Sequence, residues 1–282
     1  MSPLSLRSLS VGYLAVKRLA ASENGRLRIH STFRNTLNLQ LDDGALLPLI
    51  SARGSLNHPD AVRVAVAESW DWRGGAEIHF AHGTLLSPDW QLPLAGTPIW
   101  SPETLQETEQ ESLKTCLPFL ENQLRAWCQQ QNVDSVLRLL PDDRFGIPVT
   151  IGLTDDEETL EKMVARTLGF GRGLTPDGDD YLLGYLAALW LATQSLVSEH
   201  RRRFIAALAP GLNSTNDISR HYLNRAVLGH FSEAICRLRT GLTFPFDPKT
   251  IGERATAVMA FGASSGADCM AGFLHGLRNI TA

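Results

Sequence analysis

The chain has 282 residues, enough to bury a sizeable core in one large domain or two. Its 44% hydrophobic and 20% charged residues are ordinary for a soluble globular protein. A net charge of -4 argues against a nucleic-acid protein or one that works on an anionic membrane, since both need a basic face.

Four widely spaced cysteines (Cys116, Cys128, Cys236, Cys269) make neither a disulfide framework nor a zinc site, which suits thiols in a reducing compartment. The N-terminus carries Arg7, Lys17 and Arg18 but no sustained apolar core with a cleavage site. The longest apolar stretch, Leu182 to Ala192, is too short to span a bilayer. A cytoplasmic protein is the expectation.

The first hundred residues read as β-rich. Leu27-Arg28-Ile29-His30 and Leu37-Asn38-Leu39-Gln40-Leu41 alternate with the period of a half-buried strand, and Asp42-Asp43-Gly44 turns the latter into a hairpin partner at 45–50. A second group covers 76–80 and 83–86, with His79 and His82 flanking a turn. Prolines 93, 98 and 102 mark a boundary near residue 102, so a β-rich domain over 1–102 and a helical domain over 103–282 are predicted. The fold class is α+β.

Beyond the boundary the period becomes helical. Leu113, Leu117, Leu120, Leu124 and Trp127 share a face, with a break or a new first turn implied at Pro118. A clear helix spans 156–168, its start loaded by Asp155-Asp156-Glu157-Glu158 and its end closed by Gly169. Further helices are predicted at 179–194, 199–209, 216–239, 250–260 and 267–279. The segment 182–192, apolar all round, belongs at the domain centre. Arg201-Arg202-Arg203 reads as a solvated face.

Residues 169–184 are the most informative. Gly169, Gly171 and Gly173 alternate, then come Thr175-Pro176, Gly178, Asp179 and Asp180 before an apolar helix. A glycine-rich turn into a helix start offers backbone N–H groups to an anion, and Arg172 can offset the carboxylates. A faint repeat links Gly178–Leu186 to Gly266–Leu274 as Gly-x-Asp-x-x-x-Gly-aromatic-Leu, which predicts a pseudo-twofold pair of helix starts facing one pocket. Thr175, Ser264 and Ser265 can donate to a carboxylate or phosphate, or act as plain helix caps. Asn213-Ser214-Thr215-Asn216 has the same character. Asp179, Asp180 and Asp268 suit a hard cation such as Mg²⁺, or equally a helix-capping role. The spacing is no dinucleotide fingerprint, and there is neither a phosphate-binding Gly-Lys-Ser/Thr loop nor a Gly-x-Ser-x-Gly elbow.

The stretches Gly171–Asp180, Thr215-Asn216-Asp217-Ile218-Ser219 with Tyr222-Leu223 and Ala226, and Gly262–Asp268 resemble, in order and spacing, the AllH-type family. The resemblance is good over 150–280 and looser before, where Phe33, Asn38-Leu39 and the Asp43-Gly44 turn carry it. It implies a subunit of an oxamate carbamoyltransferase in purine (allantoin) breakdown, working on small anions beside other subunits of the FdrA type. The implied reaction is oxalurate plus phosphate giving oxamate plus carbamoyl phosphate, or the reverse. Arg172 and Thr175 are then anion ligands, joined by Gly173, Gly178, Asp179, Thr215, Asn216, Ser264, Ser265 and Gly266. Asp180 and Asp268 are the catalytic candidates, orienting substrate amide groups or a cation. The Ser-x-Arg-Thr signature of other transcarbamoylases is absent, which implies a different fold for the reaction or chemistry on a partner subunit. Asp177 adds a third carboxylate at a position that is often small in the motif. Rival readings are a non-catalytic partner that binds a small carboxylate and a Mg²⁺-dependent amide or ureido hydrolase.

Overall fold

The structure, a computed structural model, describes residues 3–22, 25–53, 56–65, 77–105, 110–134, 151–153, 156–171, 173–242 and 247–282. Arg172, Asp155 and the first residue of the 76–80 group lie outside them. The chain divides into two compact units, Met1–Pro102 and Glu103–Ala282, in an α+β architecture.

Among the described residues the first unit is a ten-stranded mixed sheet with one short helix. The strands are β1 (Leu4–Ser5), β2 (Arg7–Gly12), β3 (Arg26–Thr32), β4 (Thr36–Gln40), β5 (Leu46–Ser51), β6 (Val62–Ala65), β7 (Glu77–Ala81), β8 (Thr84–Leu86), β9 (Trp90–Pro93) and β10 (Ile99–Trp100). Their order is β1-β9-β8-β7-β3-β4-β5-β6-β2-β10. The expected hairpin is present: β4 and β5 are antiparallel with Thr36 opposite Ile50, and Gly44 holds the left-handed turn at φ 80°. His82, at φ 50°, sits in the β7–β8 turn. Helix α1 (Tyr13–Ala21) buries Ala15 and Leu19 in the same core as Leu37, Leu39 and Leu49.

The second unit is helical: α2 (Gln110–Gln131), α3 (Glu157–Thr167), α4 (Asp177–Leu189), α5 (Ser195–Leu208), a 3-10 turn (Ala209–Ser214), α6 (Asp217–Val227), α7 (Glu233–Thr240), α8 (Pro248–Met259) and α9 (Ser265–Thr281). Two expectations need correcting. Pro118 does not break α2, which runs straight through it, because Leu113, Cys116, Leu120, Leu124 and Cys128 stay buried on one face and outweigh a lost backbone bond. The predicted helix 216–239 is two helices, since Gly229 takes φ 79° against the Trp190 ring and ends the first. Among the described residues no helix is long and apolar enough to cross a membrane. The four cysteines are buried free thiols.

Helices α4 and α9 form the centre. Tyr181, Leu182, Tyr185, Leu186 and Leu189 are all fully buried, each stabilising by about 1.5–3 kcal/mol. The repeat seen in the sequence is a packing symmetry. A Cβ on Gly184 would stand 1.8 Å from the Cys269 carbonyl oxygen, and a Cβ on Gly272 would stand 1.9 Å from that of Tyr181. Gly184 matches Gly272 in the repeat, and Tyr181 matches Cys269, so each helix offers its glycine to the same point on the other. Only residues without a side chain allow backbones this close.

At its far end α4 meets two guanidinium groups. Arg201 donates to the Leu189 carbonyl at 2.9 Å and lies 4.1 Å over the Trp190 ring, and Arg239 donates to the Trp190 carbonyl at 2.9 Å. Burial brings the Arg239 guanidinium down to about 10, and it is still the charged form that meets the helix C-terminus. Of the three arginines expected on a solvated face, only Arg202 is exposed; Arg201 and Arg203 are half-buried.

Candidate functional site

The turn between α3 and α4 is built on glycine: Gly169, Gly171 and Gly173 take φ 74°, 106° and 108°, a region that side chains disfavour. Asp179 ties this turn down, accepting from the Gly169 N–H at 2.7 Å and from the Thr215 hydroxyl. Asn216 caps α6 by accepting from the N–H groups of Ile218 and Ser219, both at 3.0 Å. Its amide donates to the Leu174 carbonyl at 2.9 Å. The polar stretch at 214–219 is thereby fastened to the motif turn, with Asp179, Thr215 and Asn216 engaged by the chain itself.

The openings of α4 and α9 meet through their hydroxyls. Thr175 Oγ1 and Ser265 Oγ are 2.8 Å apart although 90 residues separate them in the chain. Ser264 donates to Asp177 at 3.5 Å. Pro176 and Ser264 occupy the cap positions and neither caps through its side chain. The hydroxyls expected as ligand donors or as caps are therefore not caps here.

Backbone donors are another matter. The N–H groups of Gly178, Asp179 and Asp180 are bonded to the carbonyls of Phe170 (2.9 Å) and Pro176 (2.9 and 3.2 Å). Those of Gly266, Ala267 and Asp268 are bonded to Phe261 and Ser264. The glycine-rich turn does not leave these groups free for an anion. These six N–H groups are bonded within the chain. Gly178 and Gly266 serve close packing instead: a Cβ on either would lie 1.8 Å from the Thr167 oxygen or 2.2 Å from the Val258 oxygen. Around Gly173 a Cβ would meet nothing within 4 Å.

Asp180 is only 9% exposed, and its Oδ2 is buried without a hydrogen-bond partner among the described residues. Burial pushes its carboxyl up to about 8; the Thr175 and Ser265 hydroxyls beside it pull the other way, and the charges of Asp179 and Asp177 raise it further. The best-formed hydrogen bond of those hydroxyls is nonetheless to each other. Asp177, half-buried, is also raised by burial, with Ser264 opposing. Asp268, the repeat partner of Asp180, is 1% exposed. Both act on Cys269, whose thiol is raised by burial and then by Asp180 and Asp268. Among the described residues no three His, Cys, Asp or Glu side chains form a group able to hold a metal ion.

The order and spacing of these openings carry a family signature. A model described as oxamate carbamoyltransferase subunit AllH matches residues 167–277, and one for the AllH family N-terminal domain matches 7–99. The chain belongs to the AllH family. The AllH match starts at the end of α3 and takes in both helix openings, the Thr215-Asn216 cap and the Gly184/Gly272 contact. The family is described by a subunit of a carbamoyltransferase, so this AllH chain is one component of a multi-subunit enzyme. No solved structure matches it.

Sequence reading missed a polar cluster beneath the openings. The Tyr181 hydroxyl meets His275 Nδ1, and the Tyr185 hydroxyl meets His200 Nε2 at 2.8 Å and accepts from Asn279 at 2.9 Å. Burial, with Arg278 and His200 adding to it, lowers His275 to about 4, so its ring is neutral at physiological pH. The partners lie 94 and 15 residues apart, so no local spacing could have announced them.

Proposed function

We propose that this chain supplies the small-anion site of an oxamate carbamoyltransferase in purine (allantoin) catabolism, acting in the cytoplasm with FdrA-type subunits. The observation that carries the reading is the Thr175–Ser265 hydroxyl pair, 2.8 Å apart, joining the two helix openings over Asp180. One proton lies between these hydroxyls, and the other is shared between Asp180 and an incoming ligand oxygen. Arg172, next to this turn in the sequence, is the anion-neutralising residue. Asp180 and Asp268 stand over the substrate from α4 and α9.

The reaction balances without a cofactor. A phosphate oxygen adds to the carbamoyl carbon of oxalurate, the bond from that carbon to the oxamate nitrogen breaks, and the proton phosphate brought in ends on that nitrogen. One observation favours a second reading in which this chain binds the carboxylate and a partner performs the transfer. The backbone N–H groups at 178–180 and 266–268 are already bonded, so they make no oxyanion hole for a tetrahedral intermediate.

The test is the thermal midpoint of the purified chain with oxamate, oxalurate, carbamoyl phosphate, phosphate and Mg²⁺. A ligand at 100 times its Kd stabilises by about 2.7 kcal/mol. Oxamate or oxalurate should raise the midpoint, and Ser265→Ala should remove the shift. A response to Mg²⁺ alone would support an amide or ureido hydrolase instead.

A further inference from the structure

Three aspartates crowd the first turn of α4, and they are not equivalent. Asp179 accepts two hydrogen bonds, from the Gly169 N–H and the Thr215 hydroxyl. Asp177 is half-buried and accepts from Ser264. Asp180 is the most awkwardly placed: it is nine-tenths buried, and its Oδ2 has no hydrogen-bond partner among the described residues. No Lys, Arg or His among those residues acts on Asp177 or Asp180. A buried carboxylate oxygen with neither partner nor counter-charge, beside two other carboxylates, is costly, and taking up a proton is the relief open to it. The groups that face it are Asp177 and Asp179 from its own helix, Thr175 from the turn, and Ser265 and Cys269 from α9. Of these the hydroxyls favour the anion and the acids oppose it.

The site has a second need. Its backbone donors at 178–180 and 266–268 are used up, and an ionised Asp180 would repel the anion it is meant to receive. Resting on the small-anion reading above, we propose that Asp180 keeps its proton at neutral pH and donates it, from the unpartnered Oδ2, to an oxygen of an anion bound beside the Thr175–Ser265 pair. Asp180 then selects ligands that offer an acceptor-only oxygen, a carboxylate or a phosphoryl group. It rejects ligands that present an amide N–H₂ or a metal ion there. The short O–H···O⁻ contact this makes is among the stronger hydrogen bonds available to a protein.

Two measurements on the full chain test this. Infrared difference spectra of wild type against Asp180→Asn at pH 7 should show the carbonyl stretch of a protonated carboxylic acid, lost on raising the pH above that of Asp180. Asp179→Asn serves as the control and should leave the band in place. If the band is missing at pH 7, the proposal is overturned whatever the chain binds. Calorimetric titration across pH 6–10 forms the second arm, with oxamate and inorganic phosphate run separately. The Kd of the preferred ligand should rise about tenfold per pH unit once Asp180 ionises, and Asp180→Asn should flatten that slope. An acid band with a pH-independent Kd would overturn the donor role while leaving the anion site standing. An acid band with no binding of either anion would instead sink the small-anion reading and the donor role with it. If Asp180→Asn fails to fold, the wild-type Kd profile alone decides.

Discussion

The openings of α4 and α9 are built to one plan and charged to two. Each follows a small polar turn, each places an aspartate on the first helical turn, and each presses its glycine onto the other helix's backbone. Yet α4 carries Asp177, Asp179 and Asp180 where α9 carries Asp268 alone. Duplicated packing fixes where the groups stand. Chemistry comes from what breaks the duplication.

The comparison is broken most severely at its symmetric point. Gly184→Ala and Gly272→Ala should each cost about 3 kcal/mol, since either Cβ would overlap a carbonyl oxygen on the partner helix. Similar losses from the two in urea titrations would confirm the dyad, and a large inequality would break it. Acid exposes an asymmetry next. The His275 pKa is depressed in the fold, so its contribution is present above about 6.5 and is lost as the pH falls through about 4. Stability should drop by about 3 kcal/mol over that window, with His275→Gln flattening the curve. Asp180 runs the other way. Its folded pKa is raised, so its contribution is full below about 4 and disappears as the pH rises through about 8. Asp180→Asn should therefore gain on wild type by a few kcal/mol between those limits, visible as a rising difference in melting midpoint.

Asp179→Ala should cost about 1–3 kcal/mol by stranding the Gly169 N–H and the Thr215 hydroxyl. Hydrogen exchange should report the loss at the 169–175 turn. The smallest effect belongs to the other end of α4. Arg201→Ala removes a ring contact and two carbonyl bonds, about 1 kcal/mol, with a change in Trp190 fluorescence.

Much of this was legible because it is local. The Asp43-Gly44 hairpin, the helix capped by Asp156 and the repeat around Gly184 and Gly272 are written in short-range spacing. Helix α1 escaped notice because nine residues with a short apolar stripe, set among strands, carry little periodic signal. The parallel pairing of β1 with β9 and of β2 with β10 joins segments more than 80 residues apart, which no local pattern encodes. At the site, the glycines, hydroxyls and aspartates could be chosen by type and spacing. That Thr175 would meet Ser265, that Asp179 would be held while Asp180 stood without a partner for Oδ2, and that the N–H groups at 178–180 and 266–268 would be spent internally all depend on burial and contact.

The glycine contacts also bear on motion. With no side chain between the axes at Gly184 and Gly272, α4 and α9 have no layer of rotamers to rearrange at that point, and sliding would drive backbone against backbone. The contact stands seven residues in from the start of each helix and fixes how the two openings face each other. A ligand arriving there meets a frame already set, and it is the ligand that must adjust.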